Sequence, residues 1–239
     1  MITPTVELKS EIHLTFDIDW AHDEVLADTI ELVEAAGVAA TWFVTHDTPL
    51  LSRLRGNRRF ELGIHPNFNF LLQGDDRNGR TAAEVIDRLL QFVPEAKSVR
   101  SHSITQNTGV LDLFRSRKLT HDCNHFIPEQ TQIELKPWIH WNGLIRVPYF
   151  WEDDVWCLSD ENTALEALIQ RAGLKVFNFH PIHIFLNTER LDRYERTRSL
   201  HQRPDELEKH RYDGIGTRTR MLDLLAMTSA VQERKAGGL

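Results

Sequence analysis

The feature that most constrains the fold is an alternation of short apolar runs with longer amphipathic stretches, which continues along nearly the whole chain. The apolar runs have the length and the β-branched and aromatic content of buried strands. They predict strands at residues 12–16, 39–44, 60–64, 97–100, 119–123, 144–147 and 175–179. Helices are predicted between them, at 23–36, from 81 onward, and at 111–118, 162–173 and 217–230.

Strands that are separated by helices pair in parallel through right-handed crossovers. Seven such units predict an α/β protein with a distorted (β/α)7 barrel, in preference to an open sheet. Residues 124–143 and 186–216 lack the alternation and are expected to be irregular excursions on this scaffold. No internal repeat or linker interrupts the chain, so the sequence predicts one domain over residues 1–239.

Charge and composition limit the partners of the protein. The formal net charge of −7 argues against nucleic acid, because phosphate binding requires a basic surface. No apolar run has the length of a membrane span, and the first residues lack the pattern of a signal peptide. With only two cysteines, this predicts a cytoplasmic protein that acts on a small molecule. The sequence leaves a homo-oligomer open.

Acidic and histidine side chains recur where the predicted strands end. In a β/α barrel, the catalytic side chains stand at the carboxyl ends of the strands. A single histidine is usually a packing or surface residue, but the recurrence of histidines and acids along one rim indicates an active site. The residues of this rim are Asp17, Asp19, His46, His65, Arg100, His102, His121, Asp122, His180 and His183.

The segment LTFDIDW contains the first two of these side chains, Asp17 and Asp19. Because strand residues alternate between faces, the two carboxylates are expected to point the same way. Two carboxylates that lie so close repel each other unless a cation lies between them. A divalent metal would leave one acid as a ligand and the other as a base. The alternative is that both aspartates only cap the following helix.

Two further segments supply imidazoles. In ELGIHPNFN, a helical turn after His65 would place Asn69 on the same face, where both could share a metal with Asp19, a donor set suited to Zn²⁺. The alternative is a turn in which His65 and Asn69 only cap the backbone. In FHPIH, Pro181 fixes His180 at the rim, and an imidazole is the natural acid for protonating a leaving amine. The pair of His180 and His183 could ligate metal instead.

The motifs TFDID, ATWFVTH, GIHPN, VRSHS, Trp-Glu-Asp-Asp and FHPIH follow one another from about residue 11 to about residue 190. In this order and spacing they resemble the polysaccharide deacetylase superfamily, the NodB-homology or carbohydrate esterase family 4 group. More narrowly, they are similar to its WbmS-like branch, which is associated with O-antigen biosynthesis. The resemblance implies a distorted β/α barrel and metal-assisted removal of an N-acyl group from an amino sugar.

The same resemblance implies roles for individual residues. Asp17 would be the catalytic base, Arg100 would orient it, and Asp19 and His65 would be metal ligands. Asn69 stands at or near the second histidine of the family's metal motif, and a carboxamide oxygen is a weaker ligand than an imidazole. This departure places the third ligand in question.

The remaining motifs complete the expected site. His180 matches the histidine of the last motif and would protonate the leaving amine. His102 and His183 are the substitutes for Asn69 as a ligand, and otherwise are expected to contact the substrate. Trp151 and Tyr149, in PYFWEDD, would form the wall of the substrate pocket.

The sequence therefore predicts a metal-dependent hydrolase, with Zn²⁺ as the expected metal, that deacetylates an amino sugar or a nucleotide-linked sugar. A deformylase acting on a related sugar would use the same residues. A sugar-binding barrel without turnover is a second alternative, because Asn69 would weaken the metal site. A phosphoesterase that uses the same acids and histidines is a third.

Overall fold

The computed structural model describes residues 12–159 and 163–236, and the side chains up to residue 229. The strands are β1 (Ile12–Asp17), β2 (Ala40–Val44), β3 (Phe60–Ile64), β4 (Ser98–Val99), β5 (His121–Asp122), β6 (Trp138–Ile139), β7 (Ile145–Arg146), β8 (Trp151–Glu152) and β9 (Lys175–Phe179). They form one sheet in the order β6-β7-β5-β4-β3-β2-β1-β9-β8. All neighbours are parallel except β6 and β7.

The longer helices connect these strands. The α-helices are α1 (Asp23–Ala36), α2 (Leu51–Gly56), α3 (Asn69–Leu72), α4 (Ala82–Phe92), α5 (Thr108–Ser116), α6 (Asp153–Leu158), α7 (Leu165–Gln170), α8 (Pro181–Leu186), α9 (Leu191–Thr197), α10 (Pro204–Leu207) and α11 (Thr217–Ala236). Among the described helices, none is both long enough and apolar enough to cross a membrane.

The predicted α/β class with a distorted barrel is confirmed, and all seven predicted strands are present. The sheet forms a half-barrel, since β6 and β8 remain as its two edges among the described residues. Each edge strand is only two residues long, and neither was predicted from the sequence. β6 lies within the segment 124–143 that we expected to be irregular.

The structure contains two helix-end features that are recognisable in the sequence, a glycine after α1 and a capping box before α4. α1 ends at Gly37, whose φ of 64° is in the left-handed region that favours glycine. Before α4, the Thr81 hydroxyl accepts a hydrogen bond from the Glu84 amide at 3.2 Å, as the capping box predicts. The first signal marks the end of α1, and the second marks the beginning of α4.

The segment predicted as a polar excursion, 186–216, contains the helices α9 and α10, and residues of α9 line the same cavity as His180, which follows β9. α8 follows β9 directly, with Pro181 in its first turn, where the missing amide hydrogen costs no hydrogen bond. The helix predicted over 162–173 is observed as α7, and residue 162 lies outside the described residues. Residues 1–11, which begin the segment expected to lack a signal peptide, also lie outside the described residues.

Aromatic rings fill the interior between the central strands and the helices. Phe16 of β1 is fully buried, stacked on Trp42 of β2 at 4.3 Å between ring centroids and on Phe179 of β9 at 6.0 Å. This stack joins three neighbouring strands directly beneath the strand ends. The packing of these rings therefore fixes the ends of the three strands that precede the polar rim residues.

We predict that Phe16→Ala lowers the free energy of unfolding by about 3–5 kcal/mol, because it leaves a cavity among packed rings. Urea unfolding followed by circular dichroism measures this loss. Ile215→Ala is the control, since Ile215 is 72% exposed and its truncation should change stability by less than about 0.5 kcal/mol. Equal losses of unfolding free energy in the two variants would contradict the conclusion that the aromatic stack stabilises the sheet.

Candidate active site

A cavity of about 460 Å³ opens above the carboxyl ends of β1 and β9. Its volume suits a small-molecule ligand. On one side it is bounded by the residues that follow β1 and β4, and on the other by α8, α9 and the turns after α9. The residues that line it include Asp19, Trp20, His102, Asp154, His180, His183, Tyr194, Arg198, His201 and Gln202.

Asp17, the last residue of β1, lies beneath this cavity and is only 2% exposed. Its Oδ1 accepts a hydrogen bond from Arg100 Nη1 at 3.1 Å, and its Oδ2 accepts one from Asn178 Nδ2 at 2.9 Å. The predicted pairing of Asp17 with Arg100 is thus present in the structure. Two donors from different strand segments fix the orientation of the carboxylate and balance its charge.

Arg100 is itself 1% exposed, and its Nε and Nη1 atoms donate hydrogen bonds in the interior. Its guanidinium lies between the rings of Phe43 and Tyr149, 4.6 and 4.3 Å from their centroids. It also donates to Thr15 Oγ1 at 3.0 Å and to the carboxamide oxygen of Asn178. Cation–π contacts and hydrogen bonds together compensate the burial of the positive charge.

Asp19 meets two imidazoles at the cavity floor. Its Oδ1 lies 3.2 Å from His65 Nε2 and 3.4 Å from His102 Nδ1, and the two ring nitrogens are 3.3 Å apart. These three atoms come from the segments after β1, β3 and β4, which are separated widely in sequence. Three potential ligand atoms therefore converge on one point.

The donor set at this point fits a divalent cation. Asp19 Oδ1, one of the three converging atoms, is a buried atom without a hydrogen-bond partner. Burial opposes ionisation of Asp19, but contacts with His102 and His65 hold the pKa of its carboxyl well below the usual range. An ionised oxygen and two imidazole nitrogens are ligands that Zn²⁺ accepts in catalytic sites.

The backbone after β1 explains why two acids separated by one residue both reach this site. We predicted that strand alternation would align Asp17 and Asp19, but β1 ends at Asp17. Asp19 has a φ of 36°, in the left-handed region, within a turn closed by the hydrogen bond from the Ala21 amide to the Ile18 carbonyl at 2.8 Å. The turn, and not the strand, places the second carboxylate.

His180 stands between the two acids. Its Nε2 lies 3.9 Å from Asp17 Oδ2 and 3.8 Å from Asp19 Oδ2. On the opposite side of the ring, Nδ1 lies 2.7 Å from Asp153 Oδ1, while Asp153 Oδ2 accepts from the His180 amide at 2.8 Å. Burial lowers the pKa of His180, but the charge of Asp153 and the hydrogen bond to it raise that pKa well above its usual value.

Two other groupings of ligand-type atoms share His180. One joins it to Asp153 and His183, and the other joins it to Asp17 and Glu152. Burial holds the pKa of His183 down at about 4, so its imidazole is neutral, and burial raises the pKa of the Glu152 carboxyl. Since the oxygens of Asp153 already bind His180, Asp153 positions that ring.

Asn69, which we predicted as a metal ligand, has other partners. Its Nδ2 donates to Ser103 Oγ at 3.0 Å, and its Oδ1 accepts from Thr105 Oγ1 at 3.4 Å. Asn69 begins the short helix α3, which directs its side chain toward the loop that carries His102. The structure therefore brings His102, the substitute named above, beside Asp19 and His65, and gives Asn69 contacts that hold the loop.

The residues predicted to contact substrate fall into two groups. His102 and His183 line the cavity. Tyr149 is fully buried behind Arg100, and its hydroxyl donates to Glu152 Oε2 at 3.3 Å. Trp151 packs on Phe179 at 4.9 Å and lines a separate, smaller cavity, because β8 directs its indole toward the interior.

Two functional candidates were not assigned roles from the sequence, namely Asp153 and Asn178. Asn178 lies two residues before His180, so strand alternation could have placed it on the same face. Asp153 follows a two-residue strand, and its contact with His180 joins positions 27 apart in sequence. No local spacing could have indicated that pairing.

Comparisons with known proteins agree with this geometry. Residues 14–198 match the family model described as "WbmS-like: Polysaccharide deacetylase". A solved structure from Bordetella bronchiseptica is 50% identical and has a TM-score of 0.87, with 92% of this chain and 91% of that chain covered. That protein is provisionally described as a polysaccharide deacetylase involved in O-antigen biosynthesis. No curated protein sequence gives a match.

More distant structures give weaker similarities. A family 4 carbohydrate esterase from Streptomyces lividans, solved with acetate, is 13% identical with a TM-score of 0.49, covering 92% of this chain and 90% of that one. A Mycobacterium smegmatis protein, provisionally described as a polysaccharide deacetylase, is 16% identical with the same TM-score, covering 97% and 94%.

We predict that Arg100→Met lowers the free energy of unfolding by about 3–5 kcal/mol, because it leaves the buried Asp17 without its counter-charge. Chemical denaturation measures the loss. Arg117→Met is the matched control: Arg117 pairs with Asp87 on the surface, and loss of that pair should cost less than about 1 kcal/mol. Comparable losses in both variants would contradict a special role for the buried pair.

Proposed function

Because the chain belongs to the WbmS-like polysaccharide deacetylase family, we propose that it is a metal-dependent amide hydrolase. It would remove an N-acyl group, in the first instance N-acetyl, from an amino sugar or a nucleotide-linked sugar used in surface polysaccharide (O-antigen) synthesis. The observation that carries the proposal is that the two neighbouring aspartates have different partners, as a base and a metal ligand would require. Asp17 is bound by Arg100 and Asn178, whereas Asp19 faces two imidazoles.

Asp19, His65 and His102 would hold the metal ion. Their three converging donor atoms suit Zn²⁺. When bound there, the ion would polarise the acyl carbonyl and lower the pKa of water at the site. With His102 as the third ligand, the site would not need Asn69, whose weak ligand character was the reason to consider a sugar-binding barrel without turnover.

Asp17 would act as the general base. Arg100 and Asn178 hold its carboxylate from below, so the oxygens can accept a proton from water without the side chain rotating. The nearby His65 Nδ1, 3.6 Å from Asp17 Oδ1, places this acid directly beside the metal-binding group. Arg100 is a positioning residue, since it lies beneath Asp17 and away from the cavity wall.

His180 would act as the general acid. The hydrogen bond from Nδ1 to Asp153 fixes the ring so that Nε2 faces the region above Asp17 and Asp19. The raised pKa of His180 keeps a proton on this ring near neutral pH. After the oxygen of the water has bonded to the acyl carbon and its proton has gone to Asp17, the bond between the acyl carbon and the sugar nitrogen would break. The proton of His180 would pass to that nitrogen, so that the amino sugar leaves as an amine and the acyl group as a carboxylate.

The proposal also includes the domain organisation and the location that the sequence predicts. We propose that residues 1–239 form one domain and that the protein acts in the cytoplasm, where activated sugar precursors are made. We further propose a nucleotide-linked sugar as the substrate, in preference to a lipid-linked one.

The proposal predicts release of acetate from N-acetylated sugars, with formate release from N-formylated analogues as the signature of a deformylase. Incubation with a chelator should abolish release, and added Zn²⁺ should restore it. Asp17→Asn, shown to be folded by circular dichroism, should lower kcat by at least about 100-fold, the scale of general base catalysis.

Asp192→Asn serves as the control for that assay, because Asp192 is in an exposed ion pair with Arg196 and should leave kcat unchanged. Release that resists the chelator, or an Asp17→Asn protein that is as active as the wild type, would contradict the mechanism. No release from any of the sugars would contradict the proposed function itself.

The ligand set makes a separate prediction about metal content. His102→Asn should weaken zinc binding by about 100-fold or more, because it removes one of three protein ligands. Asn69→Ala should keep stoichiometric zinc, because the Asn69 side chain bonds to Ser103 and Thr105. Elemental analysis and competition with a chromogenic chelator measure both values. If Asn69→Ala loses zinc and His102→Asn retains it, the result would favour the ligand set predicted from the sequence, namely Asp19, His65 and Asn69.

A further inference from the structure

The residue after the second acid, Trp20, has an unusual backbone conformation. Its φ is 55°, so that Asp19 and Trp20 are two successive non-glycine residues in the left-handed region. A bulky side chain is rare in this conformation, because its Cβ crowds the backbone, and glycine is strongly favoured there. Strained residues persist where the surrounding structure fixes them, commonly at functional sites.

Hydrogen bonds from two distant segments hold Trp20 in place. Its amide donates to Thr45 Oγ1 at 3.1 Å, and its carbonyl accepts from Gln202 Nε2 at 3.2 Å. Both are contacts of the main chain, so any residue at this position could form them. They explain how the turn is maintained, but they give no reason for a tryptophan side chain.

The indole instead forms part of the cavity wall. Trp20 is 37% exposed, although it is one of the largest apolar side chains of the protein, and it lines the cavity that contains Asp19 and His180. Tyr194 and His201, whose rings pack at 4.7 Å, line the same cavity. Aromatic rings therefore border the space in which the proposed substrate would lie.

We infer that Trp20 is a substrate-binding residue that packs its indole against the apolar ring face of an N-acylated hexosamine. The inference rests on the proposed function, because it takes the amino-sugar class from it. The C–H groups on one face of a pyranose ring form an apolar surface, which an aromatic side chain can cover while the hydroxyls remain free for polar groups. The strained turn holds the ring next to the reacting centre.

A purely supporting role is the competing explanation. The Trp20 ring meets that of His102 edge-on, at 5.1 Å between centroids, so the indole could serve only to orient a metal ligand. Loss of the indole would then reduce zinc binding. Under our inference it reduces sugar binding and leaves zinc content unchanged.

The test compares Trp20→Ala, Trp20→Gly and Trp20→Phe in the zinc-loaded full chain. Calorimetry measures binding of UDP-N-acetylglucosamine, UDP-N-acetylgalactosamine and N-acetylglucosamine, and KM is measured for each sugar that is hydrolysed. We expect Trp20→Ala and Trp20→Gly to weaken binding or raise KM by about 10-fold, and Trp20→Phe by less than about 3-fold. Zinc content should be equal in all three.

Thermal unfolding separates the side chain from the backbone. Trp20→Gly should have a midpoint about 2–4 °C above that of Trp20→Ala, because only glycine is relaxed at this φ, while both lose the ring equally. Trp141→Ala is the control for loss of an exposed indole, since Trp141 is 66% exposed and should bind sugar as the wild type does.

Each other outcome has a definite meaning. Wild-type affinity in both Trp20→Ala and Trp20→Gly overturns the inference and leaves the proposed function intact. Loss of zinc in these variants overturns it in favour of the supporting role. Binding of no sugar by the wild type overturns the assignment of the cavity as a hexosamine site. Trp20-dependent binding without hydrolysis supports the inference and contradicts the proposed function.

Discussion

The ion pair between Asp17 and Arg100 is the interaction on which the site depends. Both side chains are almost completely buried, and two buried charges are tolerated only when each is paired and hydrogen-bonded. Asn178 and Thr15 supply the remaining partners, so the pair joins β1, the end of β4 and β9. Any shift of one strand against its neighbours would leave a buried charge without a partner. The pair therefore both fixes the strand ends and supplies the base of the proposed reaction.

Above this pair, the structure separates two carboxylates that are almost adjacent in sequence. Asp17 is held by a guanidinium and a carboxamide, while Asp19 is carried by a left-handed turn toward His65 and His102. The loop of His102 also contains left-handed residues, Ser103 and Ile104. Backbone strain thus occurs in two segments that would bind the metal, where hydrogen bonds from neighbouring loops maintain it.

Membership of the polysaccharide deacetylase family accounts for the order of the motifs, but this chain differs from the usual pattern in where its second imidazole comes from. Asn69 stands at or near the expected position, and its carboxamide bonds to Ser103 and Thr105, which follow His102 in the chain. The three potential ligand atoms that converge here belong to Asp19, His65 and His102.

The sequence by itself determined the α/β class, the central strands and the rim on which the acids and histidines stand. These follow from hydrophobic periodicity and from the rule that catalytic side chains follow parallel strands. Only the tertiary structure decided that His102 lies beside Asp19, that Asp153 holds His180, and that Trp151 faces the interior. Such contacts join short strands, turns and loops that lie far apart in sequence, and periodicity carries no information about which loops meet. The path of the backbone after each strand decides that, through the hydrogen bonds that close its turns.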